Sequence, residues 1–367
     1  MNALSLALII GYQEPKSTPQ QIEASLLATL DKYFWDEQHQ RWREAVGKDD
    51  QVFLWGYSVL LSTFAIGAKV DPETFKPRME KAFAGLERYW TDKAPGAYAV
   101  SPGQSKTNPD RYYDDNAWVG LAAMEAFDAT RDLKYLDIAK KVIRYLRSGE
   151  DDKLGGGIYW HENKKESKNA CENTPAALLA YKLFQATKDD SYRKAGDRWL
   201  KWTEKLIDDT DGLVMDNMKL SGKIDRTKWS YNTGCYILAK WLRKAMLKAT
   251  DPRFSPQGTP SNLSTSQNSM KKWLDPDHHL VNNPGMFAMH LFEAFLTEDK
   301  FLISINGSPS WDAGSESRKY VESIFENCRN ENGLVGEYWN RKPLPKEELK
   351  LMFTASLLRT SLVARRR

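Results

Sequence analysis

Apolar residues recur at helical spacing along most of the chain. Ile138, Val142, Tyr145 and Leu146 form an i, i+4, i+7, i+8 stripe, and Leu178, Tyr181, Leu183 and Phe184 repeat it. Leu121, Met124 and Phe127 step by three. The stretch from Trp118 to Ala123 is instead apolar all round, which predicts an inner helix buried on most sides. The helix after it carries Lys and Arg on one face, as an outer helix does. Near the N-terminal end, helices are predicted over Gln20 to Phe34, Phe53 to Phe64 and Pro77 to Trp90. Pro252 to Gln267 is rich in Pro, Ser and Thr and reads as an exposed loop.

The helices come in a repeat. Val119 to Leu146 and Ala177 to Trp202 share one plan: a helix ends at Ala-Thr-Arg/Lys-Asp, a short turn follows, and a second helix begins near a Tyr. The turn recurs at Ala249-Thr250-Asp251-Pro252, after the helical stretch from Tyr236, and the Ala-Thr copies lie 57 and 63 residues apart, too long for tetratricopeptide or ankyrin units. The connections repeat too. Gly155-Gly156-Gly157-Ile158, Asp211-Gly212-Leu213-Val214 and Asn332-Gly333-Leu334-Val335 each pair a tight-turn signal with β-branched or apolar residues suited to a short strand. These loops are expected to share one end of the molecule. About eleven or twelve helices in inner and outer pairs, from 16 to 367 as one domain, fit either a closed helical barrel or an open solenoid. Residues 1–15, with the apolar run Ala3 to Ile10, are set apart as a signal segment or a disordered N-terminus; the run is too short to span a bilayer.

Composition narrows the class of function. The 53 basic and 49 acidic residues nearly cancel and are scattered, Arg365-Arg366-Arg367 being the one tight basic run, so no nucleic-acid partner is expected. The three cysteines, Cys171, Cys235 and Cys328, are far apart and form no Cys-x-x-Cys, which argues against a zinc site or a disulfide framework. No membrane span is expected. Many of the 13 Trp and 16 Tyr lie beside Gly, Asn or Asp rather than inside apolar runs. A large apolar face with a polar edge suits a sugar ring, although aromatics also serve to pack helices.

The chemistry centres on Tyr112-Tyr113-Asp114-Asp115-Asn116-Ala117-Trp118, where an irregular stretch containing Asn108-Pro109 turns into a helix. Adjacent side chains in mid-helix diverge by about 100° and do not face each other. At a helix start Asp114 and Asp115 can converge. The positive end of the helix favours one carboxylate as the anion, and like charge beside it raises the pKa of the other. One ionised and one protonated carboxyl is the division of labour that glycoside cleavage needs. The residues alone leave open which is which, and an Asp ahead of a helix is also a common N-cap.

This segment resembles the Asp-Asp motif of glycoside hydrolase family 76, whose characterised members act on α-1,6-mannan. Gly155-Gly156-Gly157-Ile158-Tyr159-Trp160 resembles the glycine-rich segment of that family, Lys168-Asn169-Ala170 through Asn173 its Asn-rich helix start, and Trp229-Ser230-Tyr231-Asn232-Thr233-Gly234 its Trp-Thr-Tyr-Asn-Gln-Gly block. The likeness runs from Tyr112 to Thr250. Thr233 departs from the usual glutamine, and Asn283-Pro284-Gly285-Met286-Phe287 lacks the lysine of a Phe-Lys-Gly-Ile-Phe run. The resemblance implies an all-α (α/α)6 barrel and an endo-acting, retaining α-1,6-mannanase without a cofactor. With Ala3 to Ile10 as a signal segment, a secreted or periplasmic location is expected. It assigns Asp114 as nucleophile and Asp115 as acid/base, with mannan or a mannose-containing oligosaccharide as partner. A transglycosylase using the same aspartates, or a carbohydrate-binding protein without turnover, are the alternatives. Tyr113 is expected to flank the cleavage subsite. Asn116 either bonds a sugar hydroxyl or caps the helix; Trp160 and Trp229 either stack on sugar or pack under loops; Asn173, Tyr231 and Asn232 either read hydroxyls or satisfy buried backbone. His278-His279 with Asp275 and Asp277 has no further spaced ligands and is not read as a metal site. Asp208-Asp209-x-Asp211-Gly212 reads as a turn rather than a calcium loop.

Overall fold

In the computed structural model, residues 17–250, 263–276, 278, 280–281, 283–306 and 313–365 are described. Their helices alternate between two layers. The inner helices are α2 (Leu54–Val70), α4 (Tyr113–Thr130), α6 (Ala170–Thr187), α8 (Ser230–Thr250), α10 (Ala288–Asn306) and α12 (Leu351–Arg365). The outer helices are α1 (Pro19–Phe34), α3 (Pro72–Leu86), α5 (Leu133–Ser148), α7 (Asp190–Thr203), α9 (Leu263–Trp273) and α11 (Ala313–Asn327). Each inner helix packs on the next, and α12 packs back on α2, so the inner ring closes as an (α/α)6 barrel and not as an open solenoid. The outer helices cover it, with α1 lying on α12.

The burial pattern follows the composition of each layer. In α2 and α4 nearly every residue between Gly56 and Ala68, and between Asp115 and Phe127, is buried. In α5 the buried set is Tyr135, Leu136, Ala139, Val142, Ile143, Tyr145 and Leu146, a single stripe. The repeated Ala-Thr-Arg/Lys-Asp turn has the same geometry twice. Arg131 and Lys188 take left-handed φ values of 59° and 64° to end α4 and α6. Asp132 and Asp189 then cap α5 and α7 by accepting the backbone N–H of Lys134 and Ser191.

Each outer helix returns to the next inner helix through a small antiparallel pairing. After α1 it is β1 (Trp35–Asp36) with β2 (Arg41–Trp42), and after α3 it is β3 (Trp90–Thr91) with β4 (Ala97–Tyr98). Four single bridges follow the later outer helices: Glu150 with Ile158, Ile207 with Val214, Leu274 with Leu280, and Arg329 with Val335. One larger sheet, β5 (Ser167–Asn169), β6 (Met215–Lys219) and β7 (Ile224–Lys228), stands at the same end.

Three expected boundaries move. The second helix runs on past Phe64 to Val70, because Ala65, Ile66, Gly67 and Ala68 stay buried in the ring. The third helix begins at Pro72, not Pro77, because Asp71 caps it by accepting from Thr74 N–H and Pro72 occupies the first helical position. Pro77 lies inside the helix, and Trp90 belongs to β3. The expected loop from Pro252 to Gln267 gives way at Leu263 to α9, where Ser269 returns its hydroxyl to the Thr265 carbonyl at 2.7 Å. The rest of that segment, residues 1–15, Asp277 and His279 lie outside the described residues.

Polar residues hold the centre of the ring. Arg359 of α12 is fully buried and donates to Glu125 of α4 at 2.9 Å, to Glu293 of α10 at 2.7 Å and to Ser62 of α2 at 2.7 Å. One guanidinium thus ties the last inner helix to three others. No helix of the described residues is long and apolar enough to cross a membrane.

Candidate active site

The N-terminal ends of the inner helices surround a cavity of about 890 Å³. Trp55 of α2, Asp114 and Asp115 of α4, Cys171 of α6, Tyr231 of α8, Phe287 just before α10 and Met352 of α12 all line it. Each inner helix directs its positive dipole end toward this space, equivalent to roughly half a positive charge per helix.

The aspartate pair sits in the first turn of α4, after Tyr112, which takes an extended conformation and offers no side-chain cap. Oδ1 of Asp114 accepts the backbone N–H of Asp115 at 2.9 Å, satisfying one of the unpaired donors of the helix start. The chain from Tyr112 to Tyr113 pairs with that from Trp160 to His161: Tyr112 bridges His161, and Tyr113 N–H donates to the Trp160 carbonyl at 3.0 Å. This pairing brings the Trp160 indole to Asp114, where Nε1 donates to Oδ2 at 2.9 Å. Cys171 Sγ lies 3.5 Å from the same oxygen and 3.2 Å from Glu172 Oε2, so its single S–H serves one of the two.

The two carboxyls differ in their surroundings. Burial raises the Asp114 pKa above the ordinary Asp value, and the donors from Trp160, the Asp115 N–H and Cys171 pull it back. Asp115 is 9% exposed, and its carboxyl has no hydrogen-bond donor among the described residues. Burial, then the charge of Asp114, then that of Asp110 push it well above the ordinary range. The donors around Asp114 favour its ionised form, and burial without donors favours the protonated form of Asp115.

The expected site residues divide into two groups. Asp114, Asp115, Trp160, Trp229 and Tyr231 line the cavity. Trp160 is 41% exposed there, and Trp229 and Tyr231 both pack on Phe287. Tyr113 turns the other way and stacks on Tyr145 at 4.6 Å, while Tyr112 faces the cavity in its place. Asn116 is fully buried: it accepts from Tyr98 N–H at 2.9 Å and donates to the Tyr98 and Tyr112 carbonyls. Asn173 does the same for Ile158, accepting from its N–H at 2.9 Å and donating to its carbonyl at 3.1 Å. Both asparagines brace the incoming loop against the first turn of an inner helix. Asn232 is fully buried and absent from the cavity lining.

Several cavity residues escaped the sequence reading: Asp216 and Asn217 on β6, Glu166 before β5, and Glu44, Phe53, Trp55 and Phe353. Glu172 escaped it as well. It is fully buried behind Cys171 and accepts from Asn169 N–H, and burial followed by the Asp114 charge pushes its carboxyl well up. One signal was available, since Asp115-Asn116 and Glu172-Asn173 are the same acidic-Asn pair in two copies of the repeat. Asp216 carried no such mark, because its position depends on sheet pairing.

The glycine-rich loop has a mechanical cause. Gly157 has φ of 82°, and a Cβ there would lie 2.5 Å from the Trp202 ring. The buried Lys168 ammonium gathers the Asp151, Lys153 and Gly156 carbonyls and the Asp151 carboxylate within 3.0 Å. This fixes the loop leading to Trp160. The Asp208 to Gly212 segment is a turn in which Lys228 Nζ lies 2.7 Å from both Asp208 and Asp211.

The model of glycosyl hydrolase family 76 matches residues 18–253. The chain belongs to that family and is a glycoside hydrolase. It is similar to the family 76 α-mannanase of Bacteroides thetaiotaomicron, with 26% identity, a TM-score of 0.85, and coverage of 95% of this chain and 96% of that one. An α-1,6-mannanase of Salegentibacter sp. HEL1_6, solved with α-1,6-mannotriose as an inactive variant in which two consecutive aspartates are asparagine, is 21% identical with a TM-score of 0.76, covering 95% and 99% of the two chains. Dfg5 of Chaetomium thermophilum, in complex with glucosamine, is 13% identical with a TM-score of 0.74, covering 96% and 91%. The last two likenesses are of fold. None of the curated proteins matches the chain at a significant level.

Proposed function

We propose that this glycosidase cleaves α-1,6-mannosidic linkages by double displacement. The Asp114 carboxylate attacks the anomeric carbon while Asp115 gives its proton to the departing glycosidic oxygen. The products are a mannosyl ester on Asp114 and a free sugar hydroxyl. Asp115, now a carboxylate, takes a proton from water as that water attacks the anomeric carbon, and Asp114 is released. The observation that carries this order is the unequal hydrogen bonding of the pair: Asp114 accepts from Trp160 and from Asp115 N–H, and Asp115 accepts from none of the described residues. A donor-rich carboxyl at a helix N-terminus is the better anion, and a donor-free buried one retains the proton that a general acid must deliver.

The aromatic lining suits a sugar. Trp160, Trp55, Trp229 and Tyr231 offer flat faces, and Asp216, Asn217 and Asn169 offer polar groups for hydroxyls. The mannanase neighbours support mannose as that sugar. Action on a mannan polymer, which is too large to enter a cell, supports a secreted or periplasmic location.

The test is release of reducing sugar from linear α-1,6-mannan by the wild-type protein and by Asp114→Asn and Asp115→Asn. Each replacement is expected to lower turnover roughly a thousandfold, the scale of a lost acid/base group, with melting not lowered. Unchanged turnover in either variant would refute the assignment. A mannose acceptor in the digest distinguishes hydrolysis from transfer, because only transfer yields longer oligosaccharides.

A further inference from the structure

The Trp-Ser-Tyr-Asn-Thr-Gly block contributes Trp229 and Tyr231 to the cavity, but its last residue, Gly234, does not reach it. Gly234 instead meets the backbone of α10. A Cβ there would lie 2.7 Å from the carbonyl carbon of His290 and 2.8 Å from its oxygen. Such distances require the backbone to shift, so glycine is what allows α8 and α10 to close at this point.

His290 is 5% exposed. Its ring lies parallel to the Trp118 indole, with centroids 4.7 Å apart and an interplanar angle of 18°. Neither ring nitrogen has a hydrogen-bond partner among the described residues, and Glu293 Oε2 stands 3.7 Å from Nδ1, beyond a hydrogen bond. Burial and the Arg359 charge hold the imidazole pKa down at about 4, so the ring is neutral at working pH and acts as a flat π surface.

Trp118 follows Asp114 by four residues in α4, which places both on one face of the helix, one turn apart. It lines the cavity with the aspartates. It also lines a small chamber of about 20 Å³ beneath, together with Ser62, Glu125, Lys182, His290 and Glu293. Among the described residues it is the one common to both linings. Trp118 is thus the partition between the cavity and the charged centre of the barrel, and its tilt is set by what lies under it.

We infer that His290, held in place by its backbone contact with Gly234, is a positioning residue that fixes Trp118 as the floor of the subsite beside Asp114. The inference rests on the mannosidase reading above. A floor that meets the sugar equally in the ground and transition states changes KM more than kcat. Loss of folding alone lowers the active fraction and leaves KM unmoved.

The experiment measures kcat and KM on linear α-1,6-mannotetraose for the wild type, His290→Ala, His290→Phe and Gly234→Ala, each with a thermal melt. His290→Ala and Gly234→Ala are expected to raise KM about tenfold with kcat changed less than about threefold, the pattern of lost uniform binding. His290→Phe, which keeps a parallel ring, is expected to bring KM back to within about twofold of wild type. A folded His290→Ala enzyme with unaltered KM would overturn the inference, and so would a His290→Phe enzyme as impaired as the alanine variant. Absence of turnover by the wild type would instead sink the mannosidase reading, and this inference with it.

Discussion

Trp160 donates its indole N–H to Oδ2 of Asp114 at 2.9 Å, and in doing so treats two neighbouring carboxyls unequally. Sequence adjacency makes Asp114 and Asp115 alike; the β-like pairing of Tyr112 with His161 is what delivers a donor to one of them alone. The difference is electrostatic in origin and has measurable consequences.

Trp160→Phe keeps an aromatic face and removes the donor. Because the Trp160 hydrogen bond lowers the Asp114 pKa, its loss raises it, and a higher pH is needed to ionise the nucleophile. The acid limb of the kcat/KM–pH profile is expected to move up, with the loss of activity greatest at low pH. Identical acid limbs in the two enzymes would show that the bond does not tune Asp114.

Asp115→Asn is expected to cost turnover and to add stability. A carboxyl whose folded pKa lies above its unfolded value binds more protons in the native state between those two values. Its contribution to stability is therefore lost as pH rises through that window. The Asp115 carboxyl is raised in this sense by burial and by Asp114 and Asp110, so replacing it with an amide, which has no proton to take up, removes that cost at neutral pH. Thermal melts are expected to show Asp115→Asn melting above wild type at pH 7, with the gap narrowing as pH falls toward the ordinary Asp range. A variant that melts lower at pH 7 would contradict this.

Arg359→Met tests how the ring is tied. Removing the guanidinium leaves Glu125 and Glu293 buried without their shared cation, a loss of about 3–5 kcal/mol for breaking one side of a buried ion pair. Denaturant unfolding should show that loss. A change under about 1 kcal/mol would mean that the carboxyls simply take up protons when the arginine is gone.

Much of the architecture was legible in the chain. The all-round apolar stretch at Trp118 and the one-sided stripe after it separated inner from outer helices, because burial on every side and burial on one side leave different periodicities. The turn at Ala-Thr-Arg/Lys-Asp was visible since two of its residues, Thr and Asp, make local hydrogen bonds that recur in both copies. The Asp pair was placed at a helix start by Asn108-Pro109 on one side and an apolar run on the other, and that is where α4 begins.

The direction of individual side chains was less legible. Asn116 and Asn173 looked equally suited to a sugar hydroxyl or to buried backbone, and they satisfy the backbone of Tyr98 and Ile158. Tyr112 and Tyr113 differ by one helical step, and packing against Tyr145 decided which of them leaves the cavity. Asp216 reaches the site through pairing of β6 with β5, whose nearest residues are more than forty positions away in sequence. No local pattern encodes a contact of that kind.

The most direct measurement on the Asp114–Asp115 assignment is proton NMR of the first anomer formed as the enzyme digests linear α-1,6-mannan. Attack by Asp114 followed by attack of water inverts the anomeric carbon twice, so the α anomer is expected first, with the β anomer growing in later by mutarotation. The β anomer appearing first would contradict Asp114 as nucleophile.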